Sequence, residues 1–384
     1  MKMNSQEEYD NMLIEDDNIE SENLYDLNNV PPVSEPFNPK DVDISSRTMV
    51  ISNIIEQLKD GEIILQPDYQ RRPNLWSDKE QSRLIESLII RIPLPSFYFD
   101  SDGEKLIVVD GLQRLTAIRR FAVLETNNPN KLRLANLEYL TEYNGLTYEE
   151  LPVSIQRRIR QTEITAYIIR QGTPDNVRNS IFTRINTVGL RLTAAEIRNA
   201  IFRGQAAEFL RELADSDDFK KATRNGVKPD RMEDCEFVNR FLAFYLLERE
   251  YRGNLEEFYN HVLKYIKQLQ INDLIPIREA FLKSMKYAVA LFGSNAFRRI
   301  DQKGKYTRIN KPLFECVSVS FARMDSNELE ALVAHKHEFI EEYKKLFNND
   351  VFSSVISNGT AKVESVQTRF DMMGKTIRRV LGND

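Results

Sequence analysis

Residues 105–121 read KLIVVDGLQRLTAIRRF, and this run decides how the chain around it must fold. Leu106 to Val109 form an unbroken, largely β-branched apolar stretch, the signature of a buried strand. Asp110-Gly111 ends it, and the residues from Leu112 to Leu124 then take helical spacing. A strand that passes through glycine into a helix leaves the first helical amides without intrahelical partners, at the positive end of the helix dipole. Such a helix start attracts an anion such as phosphate, with about 0.3–1 kcal/mol from the dipole alone. Arg114 lies in the first turn, where it could add a bidentate contact to the same phosphate. Gln113 offers a donor and an acceptor to a base, a ribose or a water, and Asp110 could hold magnesium or orient water. The bland readings stay open here: glycine serves many such turns sterically, and Asp is a favoured helix cap.

Upstream, SFYFD (96–100) and KLIVVD (105–110) read as two strands joined at Ser101-Asp102-Gly103. Ile92-Pro93-Leu94-Pro95 stops a preceding helix that Ser77 and Glu80 open as a capping box and that turns Leu84, Ile85, Leu88 and Ile89 inward. Before it lies the polar segment QPDYQRRPNLW (66–76), in which Gln70, Arg71 and Arg72 could grip phosphate while Trp76 stacks on a base. A salt-bridged loop with Trp76 in the core explains the same residues equally well. Further upstream, a short extended run covers 62–65, and Met49, Val50, Ile54, Ile55 and Leu58 predict a helix from Arg47 to Leu58, with Ser46 as its cap.

Downstream, a basic amphipathic stretch from Val153 carries Arg157, Arg158 and Arg160, EITAYIIR (163–170) reads as a strand, and Thr173-Pro174 opens the next helix. FTRINTVGLRLTAAEIRNAIF (182–202) holds another capping box, Thr193 to Glu196, and Gly204 follows as a C-cap. Arg184, Asn186, Thr187, Glu196, Arg198 and Asn199 make a dense polar cluster there, which reads either as a cleft lining with Asn186 as a nucleotide contact or as a network holding two helices together. Beyond 205 the pattern is helical almost throughout. The domains expected are therefore an acidic arm (1–40), a mixed α/β domain (41–204) and a helical domain (205–384), an α+β fold class.

The net charge of −5 is unevenly spread: residues 1–40 hold ten acids against Lys2 and Lys40, a balance of −8, which leaves +3 for the rest. This arm is rich in Asn and Ser and carries Pro31, Pro32, Pro36 and Pro39, so it is expected to be disordered. It reads as a solubilising leader before it reads as a nucleic-acid mimic or self-inhibitory tail. No run of about 18 apolar residues and no secretory layout is present, so a cytoplasmic protein with no membrane partner is expected. Cys235 and Cys316 form no C-x-x-C pair, and His261, His335 and His337 are too few and too scattered for a histidine metal site.

Together, PDYQRRPNLWSDKEQSRLIESLIIRIPLPSFYF (67–99), VVDGLQRLTAIRRF (108–121) and FTRINTVGLRLTAAEIRNAIF (182–202) resemble the N-terminal domain of GmrSD-type restriction endonucleases, a ParB/sulfiredoxin-like fold. NKPLFECVSVSFA (310–322) is similar to a helix common in these proteins. The resemblance implies a nucleotide site at the glycine turn, used in bacterial anti-phage systems to bind or hydrolyse nucleoside triphosphates; Mg2+ beside Asp110 is the expected companion of a bound triphosphate. Carried onto this sequence, it implicates Asp110, Gly111, Gln113 and Arg114, with Gln70 and Arg71 as the matching upstream pair; Asp110 and Gln113 would be catalytic. The family motif usually reads D-G-Q-Q-R, and Leu112 stands here in the first Gln position, which weighs against hydrolysis more than against binding. Full-length members append an H-N-H nuclease domain that nothing here matches, so DNA cleavage is expected of a partner nuclease or other defence subunit. The competing expectation is a non-enzymatic DNA-binding or scaffold protein, motivated by Leu112 and the basic stretches around Arg157 and Arg198, whose duplex binding would weaken steeply with salt.

Overall fold

The computed structural model describes residues 19, 20, 22, 39–65, 76–185, 193–202, 204–229, 232–301 and 303–382. The chain divides into two compact units: residues 35–201 form one, and residues 202–384 form the other together with Ile19, Glu20 and Glu22. The architecture is α+β, with a mixed sheet in the first unit and helices dominating the second.

In the first unit, β1 (Ile44–Val50), β2 (Ile63–Ile64), β3 (Phe97–Asp102), β4 (Lys105–Asp110) and β5 (Glu163–Ile169) form one sheet in the order β1-β5-β3-β4-β2. β3 and β4 are an antiparallel hairpin, β3 runs parallel to β5, and β4 runs parallel to β2. Side chains alternate across the sheet. Phe97, Phe99, Val108, Ile164, Ala166 and Ile168 face a core shared with α1 (Ile51–Lys59), α2 (Asp78–Ile90), α3 (Leu112–Ile118) and α4 (Val153–Arg160). Tyr98, Val109 and Ile169 face the opposite way, onto Val177, Ile181 and Phe182 of α5 (Asp175–Ile185) and Ile197 of α6 (Ala194–Ile201). One face of the sheet is thus covered by the core, while the other is covered only in part, with Glu163 and Thr165 of β5 and much of β1 exposed.

α1 buries Ile51, Ile54, Ile55 and Leu58, a stripe at helical spacing worth about 1.5–3 kcal/mol per side chain. The helix begins at Ile51 and not at Arg47, because Arg47 to Val50 pair with Ala166 to Glu163 of β5. Ser46 therefore lies in a strand opposite Tyr167 and caps nothing; long-range pairing overrides the local helical spacing. α2 has the expected capping box: the Ser77 amide donates to Glu80 Oε2 (2.6 Å) and the Glu80 amide to Ser77 Oγ (3.3 Å). α3 runs on into a π-helical turn, Arg119–Val123, closed by the Leu124 amide on the Arg119 carbonyl (3.0 Å).

The second unit contains α7 (Gln205–Asp215), α8 (Asp217–Ala222), α9 (Glu233–Leu247), α10 (Leu255–Gln268), α11 (Ile271–Phe292), α12 (Lys311–Arg323), α13 (Ser326–Ala334), α14 (Lys336–Phe347), α15 (Asp350–Val355) and α16 (Val363–Leu381). Aromatic rings fill its core, with Phe241 4.9 Å from Phe281 and Phe237 5.0 Å from Phe314. A hairpin, β6 (Arg298–Ile300) and β7 (Tyr306–Ile309), interrupts the helical pattern. Gly204, at φ 77°, is the N-cap of α7 and not a C-cap, and α13 and α14 are separated at His335. No helix among the described residues is long and apolar enough to cross a membrane.

The expectation of a disordered acidic arm does not extend to three of its residues. Ile19 is buried and pairs with Ile309 in a parallel bridge, and Glu20 and Glu22 are held by buried or half-buried arginines of the helical unit, which offset the cost of ordering them. The rest of the arm up to residue 38 lies outside the described residues.

Candidate functional site

The carboxyl end of β4 carries Asp110 into Gly111, the N-cap of α3. Gly111 adopts φ 99°, a left-handed conformation that strains any residue with a Cβ. A Cβ at this position would also lie 2.5 Å from Cδ1 of Phe97. The glycine is thus explained sterically by the close approach of β3. No side chain caps α3, so its first-turn amides have no partner within the helix and none from a cap.

Arg114 is turned into the protein. Its guanidinium lies 4.4 Å from the centre of the Phe97 ring and donates to the Pro95 carbonyl, to the Ser96 carbonyl (3.2 Å) and to Asp110 Oδ2 (2.7 Å). Its side chain is 10% exposed, so the guanidinium that sequence assigns to a phosphate instead fastens the turn to the segment leading into β3. Burial, only partly offset by Asp110, draws Arg114 below the ordinary arginine range. Asp110, a third exposed, stands opposite Tyr98 in the hairpin register, and the Tyr98 ring stacks on Tyr167 at 5.0 Å. Burial, Tyr167 and Asp110 together raise the Tyr98 hydroxyl above its usual range.

A second set of contacts ties the turn to the start of α2. Gln113 Oε1 accepts from the Trp76 amide (3.4 Å), and Gln81 Nε2 donates to the Trp76 carbonyl (2.8 Å). Arg120, in the π-helical turn, donates to Gln81 Oε1 (2.9 Å), Asp78 Oδ1 (2.7 Å) and the Asn130 carbonyl (2.8 Å). One continuous helix thus supplies Gln113, Arg114 and Arg120, and the π turn, a feature common near functional sites, sets where Arg120 falls.

The structure therefore gathers Asp110, Gly111, Gln113, Arg114 and a half-buried Trp76 at one end of the sheet. Gln70, Arg71, Arg72 and Asn186 lie outside the described residues. The described neighbours of the first three are informative: Ile64 ends β2, paired with Ile107 of the parallel β4, and Trp76 meets Gln113. Of the downstream polar cluster, Glu196, Arg198 and Asn199 are buried on α6, and the Thr193–Glu196 capping box is formed. Arg198, 3% exposed, cannot meet a DNA phosphate, whereas Arg157 and Arg160 are exposed on α4.

Sequence reading missed Pro95, Ser96 and Phe97 as the seat of Arg114, and Gln81 and Arg120 as braces. The Pro-Leu-Pro run was visible only as a helix stop, since nothing local shows which side chain its carbonyls will receive. Among the described residues, no group of three or more His, Cys, Asp or Glu side chains is placed to hold a metal ion.

Comparison with the curated proteins and with the solved structures gave no match to this chain. Comparison with protein families gave one described as GmrSD restriction endonuclease, N-terminal domain, matched over residues 51–203, a span that contains the glycine turn, the hairpin before it and the helices that brace it. Residues 51–203 of this chain are thus similar to the N-terminal domain of GmrSD restriction endonucleases.

Proposed function

We propose that the mixed α/β unit binds a nucleoside triphosphate at the Gly111 turn, as the nucleotide-binding component of the restriction or anti-phage defence system to which its family ties it. The observation that carries the reading is the uncapped start of α3, where backbone amides and the positive helix end converge at the end of the sheet. Arg114 is engaged inside the protein, so its role is to hold Asp110 and the turn in place. We assign the cationic contact with phosphate to Arg71, with Gln70 as its neighbour in sequence; Trp76, the described residue that follows this segment, meets Gln113 of the turn. The Tyr98–Tyr167 stack and Trp76 offer aromatic surface for a base.

Magnesium fits the turn poorly. Asp110 is the carboxylate the sequence offers for it, and Arg114 already neutralises that carboxylate at 2.7 Å. We therefore derive no metal-dependent step, and binding is the proposed activity. DNA cutting is assigned to a partner nuclease.

Calorimetry with each ribo- and deoxyribonucleoside triphosphate tests this. One of them is expected to bind wild type, and Arg71→Ala to weaken it about tenfold or more, the value of a charge-assisted phosphate contact, without lowering Tm. Equal affinity of wild type and Arg71→Ala, or no binding by any triphosphate, would overturn the proposal.

A further inference from the structure

The helical unit is completed by residues that lie far from it in the sequence. Ile19 bridges Ile309 of β7 in parallel, and the Glu20 amide donates to the Ile309 carbonyl (2.8 Å), which is strand addition to a sheet edge. The side chains then read as a two-point recognition. Glu20 accepts from Arg299 Nη1 (3.0 Å) and from Asn310 Nδ2 (2.9 Å). Glu22 Oε1 accepts from Arg240 Nη2 (3.0 Å) and from Thr360 Oγ1 (2.6 Å), and the same Nη2 is ion-paired with Glu22 Oε2 at 2.9 Å.

The second point is built for a carboxylate. Arg240 of α9 is 3% exposed, and its Nε donates to the Tyr259 hydroxyl (2.6 Å) and lies 3.3 Å from Glu315 Oε2. Glu315 of α12 is fully buried and already holds Arg369 of α16, also fully buried, whose Nε donates to it at 2.6 Å. With Glu22 in place two guanidinium groups face two carboxylates. Without it, Arg240 and Arg369 share Glu315 alone, leaving a buried uncompensated positive charge, among the costliest arrangements in a protein interior. The geometry therefore demands an acid at this point, and a segment 218 residues away in sequence supplies it.

We infer that the helical unit is a receptor for an extended acidic peptide of the order Ile-Glu-x-Glu, that the chain's own Ile19–Glu22 segment is its intramolecular ligand, and that a partner segment of the same order engages it by exchange. Strand addition supplies affinity, the Arg240 and Arg299 points supply specificity, and the intramolecular segment holds the receptor closed through its high effective concentration.

The test uses the full chain. A labelled peptide of residues 15–26 is titrated by fluorescence anisotropy into wild type and into the Glu20→Gln/Glu22→Gln variant. The peptide is expected to bind the variant saturably and wild type at least about tenfold more weakly, and a peptide with both glutamates replaced by glutamine to bind neither. No binding to a variant whose circular dichroism matches wild type, or equal binding to both proteins, would sink the inference. Hydrogen exchange covers the case of a variant that fails to fold. In wild type the Glu20 amide should exchange at least tenfold more slowly than in the free peptide, and Arg299→Gln should speed it by about ten- to hundredfold, the value of a lost charge-assisted bond. A Glu20 amide in wild type that exchanges as fast as in the free peptide would overturn the inference.

Discussion

Arg114 donates to Asp110 and to the carbonyls of Pro95 and Ser96 while lying over Phe97, so one side chain joins the end of β4, the first turn of α3 and the entry to β3. A planar guanidinium reaches these acceptors from one rotamer, whereas a lysine ammonium is a point charge on a flexible stem. Arg114→Lys is therefore expected to cost about 2–3 kcal/mol, since buried carbonyls lose their donors even though the charge is kept. Urea unfolding measures it, and a change below about 0.5 kcal/mol, the range of ordinary surface substitutions, would contradict this account of the turn. D-G-x-x-R was legible in the sequence as a motif. The direction in which its arginine points was not, because that depends on carbonyls brought beside it by the hairpin.

At the level of elements, local chemistry and long-range pairing divide the fold between them. The hairpin of β3 and β4, the caps at Ser77 and Thr193 and the helix after Gly111 depend on neighbours a few residues apart, and all were readable in advance. The start of α1 was not, because Arg47 to Val50 have helical spacing but are claimed by β5, more than a hundred residues downstream. Likewise the π turn at Arg119–Val123 has no sequence signal of its own, yet it brings Arg120 to Gln81 and Asp78. The capping box of α2 gives a prediction at this scale. Ser77→Ala removes the acceptor of the Glu80 amide and should lower stability by about 1 kcal/mol, with the denaturant slope unchanged. A loss near zero would mean that the brace through Trp76 and Gln81, not the cap, fixes the start of the helix.

Across the whole molecule, the acidic N-terminal segment has a consequence in pH. Burial pushes the Glu22 carboxyl up, but Arg240, Thr360 and Lys311 together outweigh it and hold the group below its ordinary value. Glu315, also buried beside Arg240, and the Tyr259 hydroxyl complete its charged and titratable surroundings. A carboxyl whose folded value lies below the unfolded one stabilises the fold fully above the unfolded value, about 4.3, and loses that contribution as pH falls through the folded value. The difference in Tm between wild type and Glu22→Gln should accordingly be constant above about pH 5.5 and shrink on acidification below about pH 4.3. A difference that stays level down to pH 3 would show that Glu22 is not held by these charges.

The sequence by itself determined the α+β class, the strand–turn–helix junction at Asp110–Arg114, the principal capping boxes and the likeness of residues 51–203 to the GmrSD N-terminal domain, because each is written in residues close together or in motifs kept in order. Only the tertiary structure decided that Arg114 serves the turn, that Arg198 is buried, and that Glu20 and Glu22 of a segment read as disordered are seated on Arg299 and Arg240. The physical reason is common to all three: a charged side chain settles where its desolvation is offset, and the groups that offset it here are contributed by segments distant in the chain.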